Sequence, residues 1–175
     1  MRHTALKFEA DVFQDGLDCM GCSRPIDPSA TFVSRELSDL YHFWLALAGE
    51  RPLPARSDID VLDLKPWISH VMLVDILSDP CDIRFRVIGT WIVERIGRDD
   101  TGKSMREIGL TPPRKRILDS YLDVARTMTP HTSQGHFYDR SQVHNHLNAE
   151  RLLLPLSEDG VRCDKILSAI YFIPL

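Results

Sequence analysis

Apolar and polar residues alternate along this chain with two different periods, and the change from one to the other marks out its elements. Val33, Leu37, Leu40, Trp44 and Leu47 recur at steps of four and three, which is one face of a helix. Tyr41, Leu45 and Ala48 widen the stripe, Gly49 and Pro52 end it, and Asp27-Pro28 supplies a cap and first turn upstream. Glu50 to Asp58 reads as a connector, and Asp60 to Trp67 as a short turn of helix closed by Pro66. The period then drops to two. Ser69 to Leu77 predicts a strand, and Asp82 to Ile88 predicts a second, with Ile83, Phe85 and Val87 alternating against Arg84 and Arg86. Three helical pieces follow: Thr90 to Ile96 stopped by Gly97, a capping box at Ser104–Glu107, and a longer helix opened by Thr111-Pro112. In that helix Ile117, Leu118, Tyr121, Leu122, Ala125 and Met128 share a face. Thr132 to Tyr138, Glu150 to Leu156 and Lys165 to Ile173 predict three more strands, the last two joined by Asp159-Gly160.

The polarity of those strands orders them. Val71–Leu77, Leu152–Leu156 and Ile166–Ile173 are apolar on both faces, although antiparallel sheets usually wet one face. They belong in the centre of a sheet covered on both sides. Asp82–Ile88 alternates and Thr132–Tyr138 is mostly polar, so these take the edges. One face would carry the internal helices and the other the stripe of Val33–Leu47. Five stripe residues at about 1.5–3 kcal/mol each give gross burial on the order of 10 kcal/mol, which conformational entropy largely offsets. An exposed stripe of that width would aggregate, so it must pack on something. Because it is wider than one sheet face needs, a homodimer through this helix is expected.

Composition narrows the class. The chain has 175 residues, 43% hydrophobic and 26% charged, which suits one folded domain with a core. Its 21 Lys+Arg against 25 Asp+Glu give a net charge of −4, so no basic excess attracts nucleic acid or an anionic membrane surface. No apolar run reaches membrane-spanning length, and Met1–Phe13 lacks the apolar core of a secretory signal, so a cytoplasmic location is expected. The first 30 residues, broken by Gly16, Gly21, Pro25 and Pro28, read as a loosely attached arm, and residues 31–175 as the domain.

An antiparallel sheet of five strands with helices inserted after the second is the topology of a PAS domain. The sequence resembles small stand-alone bacterial PAS proteins at Leu40-Tyr41 with Trp44, at Pro54, Arg56 and Asp58-Ile59-Asp60, and at Arg84-Phe85-Arg86-Val87 with Gly89-Thr90. The likeness continues through Gly97-Arg98, Thr101-Gly102-Lys103-Ser104 and Leu152-Leu153-Leu154-Pro155-Leu156, covering about Arg35 to Phe172. It implies an α+β fold with strand order 2-1-5-4-3, the same centre and edges that polarity gives. It also implies a module that binds a small molecule between sheet and inserted helices, or that serves dimerisation and docking. The residues placed to line such a space are Phe85, Val87, Trp91, Ile92, Ile96, Leu118, Tyr121, Leu122 and Phe137. Trp91 and Tyr121 would supply polar anchors in an otherwise apolar pocket, for an apolar or amphipathic ligand. The same residues would equally fill a core.

Other motifs point to chemistry and fall short of it. Gly97-Arg98-Asp99-Asp100-Thr101-Gly102-Lys103-Ser104 matches the phosphate-binding P-loop literally. That loop needs a strand entering and a long helix leaving; here a helix enters, the exit is a single turn, and two aspartates would repel phosphate. Cys19 and Cys22 have the spacing of half a zinc site, and Cys81 and Cys163 fall at one sheet end. The four would meet only if the arm folded back there, so no metal site is expected, and free cysteines are commonly small buried apolar residues. His131, His136, His144 and His146 read as exposed loop histidines, without a carboxylate at ligand spacing. Within the PAS resemblance, haem is disfavoured because the long helix holds no histidine, with His131 just beyond it, and covalent flavin photochemistry is excluded because Thr90–Met128 holds no cysteine. No nucleophile elbow or assisted cysteine suggests catalysis. Arg84 and Arg86 read as a solvated edge that discourages strand pairing, or as a docking patch for an acidic partner. The expectation is a non-enzymatic regulatory protein that binds a small ligand, a protein partner or both; the alternative is a ligand-free dimerisation or scaffold module.

Overall fold

A computed structural model describes residues 23–26, 30–79, 81–138 and 146–174, with only the backbone described at 136–138 and 146–147. The first strand, β1 (Arg24–Pro25), is two residues long; helix α1 (Arg35–Ala48) follows, then β2 (Val71–Ser78), β3 (Cys81–Ile88), the helices α2 (Thr90–Ile96) and α3 (Pro112–Thr127), and the strands β4 (His131–Tyr138), β5 (His146–Leu156) and β6 (Lys165–Ile173). All pair antiparallel in one sheet of order β1-β4-β5-β6-β2-β3. The five long strands keep the expected sequence of neighbours, and the added β1 makes six. Within the stretch read as a loosely attached arm, three residues are tied to the sheet: Arg24 pairs with Thr132, Pro25 pairs with His131, and Ile26 N–H donates to Pro130 O at 2.9 Å. Edge strand β4 is polar enough to have looked like a bare margin, and the chain covers part of it.

Two apolar cores sit on opposite faces of the sheet, as the doubly apolar strands require. One gathers Leu37, Leu40 and Trp44 of α1 with Leu152, Leu154, Leu156, Leu167 and Ala169. The other gathers Ile92, Ile96, Ile117, Leu118, Tyr121 and Val124 of the inserted helices with Met72, Val74, Phe85, Leu153, Ile166 and Ile170.

The start of α1 departs from expectation. Ser34 caps the helix, its Oγ accepting from Leu37 N–H at 3.2 Å, so Val33 lies outside the helix and is 55% exposed. Asp27-Pro28, the expected cap, lies outside the described residues. A serine in extended backbone satisfies an otherwise orphaned N–H of the first turn, and Val33 has no covering partner there. Leu37, Leu40, Trp44 and Ala48 are buried and Leu47 is half-buried. Asp60–Trp67 forms successive turns closed by bonds between residues three apart, and the following helical turn sits at Ile68–His70. Gly89 is required where β3 hands over to α2: a Cβ there would lie 2.2 Å from the Ser69 carbonyl oxygen. Its own N–H donates to Val71 O at 2.8 Å, so the two backbones touch.

Candidate functional site

The side of the sheet under α2 and α3 is where the PAS reading looks for a ligand. Strand β3 reaches it through an irregular register: Leu73 faces Val87 while Val74 faces Phe85, leaving Arg86 as the extra residue of a bulge. One inserted residue flips every later side chain to the other face. Val87 therefore leaves the inserted-helix side and is 46% exposed beside Val71, Leu73 and Leu167, and Ile88 takes the inner position. Including Val87 in the candidate pocket was incorrect for that reason. The alternation of Ile83, Phe85 and Val87 is regular in the sequence; the backbone is not.

Of the other expected lining residues, Ile92, Leu118 and Tyr121 are buried among apolar neighbours, and Trp91 and Leu122 pack against the same core half-buried. Trp91 stacks on His70 at 4.5 Å, and His70 stacks in turn on Tyr171 at 4.2 Å. Phe85 and Ile96 do border a cavity, with Met72, Ile88, Met105 and Arg114 among its other walls, but its volume is about 20 Å³, room for a single water. The side chain of Phe137 lies outside the described residues.

What the sequence reading missed is polar. Arg151, on β5 and facing the inserted helices, is 1% exposed. Its Nε donates to Ser133 Oγ across the β4–β5 pair at 3.2 Å, and its guanidinium lies 5.9 Å from the centre of the Tyr121 ring. The Tyr121 hydroxyl and Ser168 Oγ share a hydrogen bond of 2.9 Å. Nη1 of Arg151 is buried with no partner. Burial pushes the Arg151 guanidinium down from its ordinary range and the Tyr121 phenol up. His131, expected as an exposed loop histidine, is instead buried at the start of β4, where it meets Ser23 Oγ at 3.1 Å; burial holds it below the ordinary histidine range, Asp123 opposing and Arg151 adding to the depression.

Glu150, the residue before Arg151, faces α1 instead. The carboxylate accepts from Ser34 N–H at 2.8 Å, from Val33 N–H at 3.3 Å and from Gln134 Nε2 at 2.8 Å, placing a negative charge at the positive end of α1. A signal for both was available. A charged pair beginning a strand that polarity assigns to the sheet centre must be buried, one residue to each face.

The P-loop string folds otherwise. Gly97 closes α2 in the left-handed region, and Lys103 Nζ and Arg98 Nε both hold buried Asp100, at 3.3 and 2.6 Å. Backbone bonds between Phe85 and both Gly102 and Lys103 lay the loop along the free edge of β3. Ser104 and Glu107 form the expected box, each N–H meeting the other's side chain, around a turn and not a helix. Cys81 is exposed and Cys163 buried, with burial pushing the Cys163 thiol up to about 12; Cys19 and Cys22 lie outside the described residues. His136, His144 and His146 carry no described side chain. Among the described residues no three His, Cys, Asp or Glu side chains group as metal ligands, and no helix is long and apolar enough to cross a membrane. Arg86 pairs with Asp75 across the strands.

A family model for the PAS domain matches residues 33–171. The chain belongs to the PAS domain family, whose members serve sensory and regulatory signalling and commonly mediate protein–protein contact and dimerisation. No curated protein matches the chain.

Proposed function

We propose that this is a regulatory PAS module of a bacterial cytoplasm that works by binding and not by catalysis. A small molecule held between the sheet and α2–α3 shifts the balance of states offered to a protein partner. The observation that carries this reading is the polar cluster of Arg151, Tyr121, Ser133 and Ser168, buried where packing alone would favour apolar side chains. A fold that needed only stability gains little from a lone guanidinium in its core. Native mass spectrometry of freshly purified protein tests it: a retained small molecule is the expected result, and a bare chain in every preparation would refute it.

A second reading, a ligand-free dimerisation or scaffold module, is favoured by the 20 Å³ cavity and by Val61, Leu62, Ile68 and Val87, which are all exposed. Three of them border a shallow apolar groove of about 80 Å³. The apolar stripe of α1 gives less reason for a dimer than its width in sequence suggested, because Leu37, Leu40 and Trp44 are buried against the chain's own sheet. Light scattering that finds a dimer, abolished by Ile68→Asp and Val87→Asp together, would favour this second reading.

A further inference from the structure

We infer that Arg151 anchors a buried site for a small organic carboxylate, completed by the hydroxyls of Tyr121, Ser133 and Ser168 between the sheet and α3. The inference rests on the reading of that interior as the sensing site and names the ligand's chemistry. A guanidinium offers five N–H donors and no acceptor. In Arg151, Nε is taken by Ser133 Oγ, and Nη1 is buried with no partner. The hydroxyls add to the surplus. Ser133 accepts from Nε and keeps its own proton to donate, and whichever of Tyr121 and Ser168 donates to the other, one proton remains uncommitted.

No negative charge answers these donors: among the described residues no carboxylate pairs with Arg151. Strand alternation puts Glu150 on the opposite face, where Ser34 and Gln134 hold it. The Tyr121 ring offsets only part of this deficit as a cation–π partner, because a ring face returns less than the burial of an ion costs. A planar two-oxygen anion fits this deficit, accepting from Nη1 and from the hydroxyls at once. A phosphate dianion fits it poorly, because the buried cluster holds one positive charge and not two. Ser133 also borders a solvent-connected cavity of about 220 Å³ at the β4 edge, whose wall includes Arg24. Entry would pass that second guanidinium, which attracts anions to the opening.

The test uses the full chain, dialysed and titrated with acetate, pyruvate and benzoate, with inorganic phosphate at matched ionic strength as the contrast. Calorimetry reads affinity, and the Nε–H resonance of Arg151 reads the site. At least one carboxylate should saturate and shift that resonance. Arg151→Met should melt at or above the parent and bind that carboxylate at least about tenfold more weakly. Ser133→Ala should fold and bind severalfold more weakly, and it decides the matter if Arg151→Met fails to fold. The inference is overturned if no carboxylate saturates by about 10 mM, if phosphate is preferred, or if affinity survives both variants. A neutral compound retained through purification would overturn it too, while leaving the sensing role intact.

Discussion

Each face of the sheet carries an apolar core, and the two treat charge in opposite ways. Under α1, the Glu150 carboxylate has three donors, two of them backbone N–H groups at the helix entrance. The Trp44 indole N–H on the same face donates to Pro155 O at 3.0 Å, and Trp67 donates to Glu36 O at 2.9 Å. These polar groups are matched and fasten the helix. Under α3, one residue further along the same strand, Arg151 has a hydroxyl, a ring face and an unmatched Nη1. The pleat separates two opposite charges that are neighbours in sequence and could otherwise have neutralised each other. The seat of α1 is therefore finished as a structure, and the cluster under α3 keeps a deficit that an incoming group can fill.

The comparison breaks most decisively at Trp44. Removing the indole from a site where it is 4% exposed leaves a cavity and orphans the Pro155 carbonyl, so Trp44→Ala should cost about 3–5 kcal/mol in urea unfolding. A loss below about 1 kcal/mol would mean that α1 is not fastened as described. Next in size is Glu150→Ala, which strands Ser34 N–H, Val33 N–H and the Gln134 amide. We expect about 2–3 kcal/mol, with amide exchange speeding first in the opening turn of α1. Equal acceleration throughout the molecule would deny Glu150 its local role.

On the opposite face the corresponding change is smaller. Tyr121→Phe removes one hydrogen bond to Ser168 and leaves the ring under Arg151, so about 1 kcal/mol is expected from thermal or urea unfolding. A loss matching that of Trp44→Ala would show that both faces are fastened alike.

Most of this architecture was legible in hydropathy, because burial on two faces leaves a mark on sequence that burial on one does not. Val71–Val74 and Leu152–Leu156 had to be central strands, and the period of Leu37, Leu40 and Trp44 had to meet a sheet. The position of Val87 was hidden, because a bulge adds a residue without changing composition and the alternation continues unbroken across Arg86. The short strand at Arg24 was hidden too: two residues carry no period. The polar cluster was hidden for a different reason. Ser133, Ser168 and Arg151 lie on three separate strands, and only the register of β4, β5 and β6 brings them under Tyr121.

The smallest effect concerns pH, and it probes the unfinished face from its rim. His131 is 4% exposed, and both burial and Arg151 hold its folded pKa below the unfolded value of about 6.5. Above that value both states are neutral at this residue and it adds no pH dependence. As pH falls through 6.5 the unfolded chain takes up the proton more readily, so folding stability declines until the folded pKa is passed. His70, lowered chiefly by burial between Trp91 and Tyr171, acts in the same direction. The melting midpoint should therefore drop between pH 7.5 and 5.5, and His131→Gln should flatten part of that drop while His70→Gln flattens the rest. The histidines differ in their surroundings, which lets one report on Arg151 and the other serve as its control. Arg151 contributes to the depression at His131, whereas burial and Arg95 set that at His70 against the opposing charge of Glu36. A carboxylate bound at Arg151 would cancel its repulsion and raise the His131 value, leaving His70 unchanged. Histidine titration by NMR, with and without each of acetate, pyruvate and benzoate, distinguishes the cases: parallel movement of both residues, or movement of neither with any of the three, would mean that no carboxylate reaches Arg151.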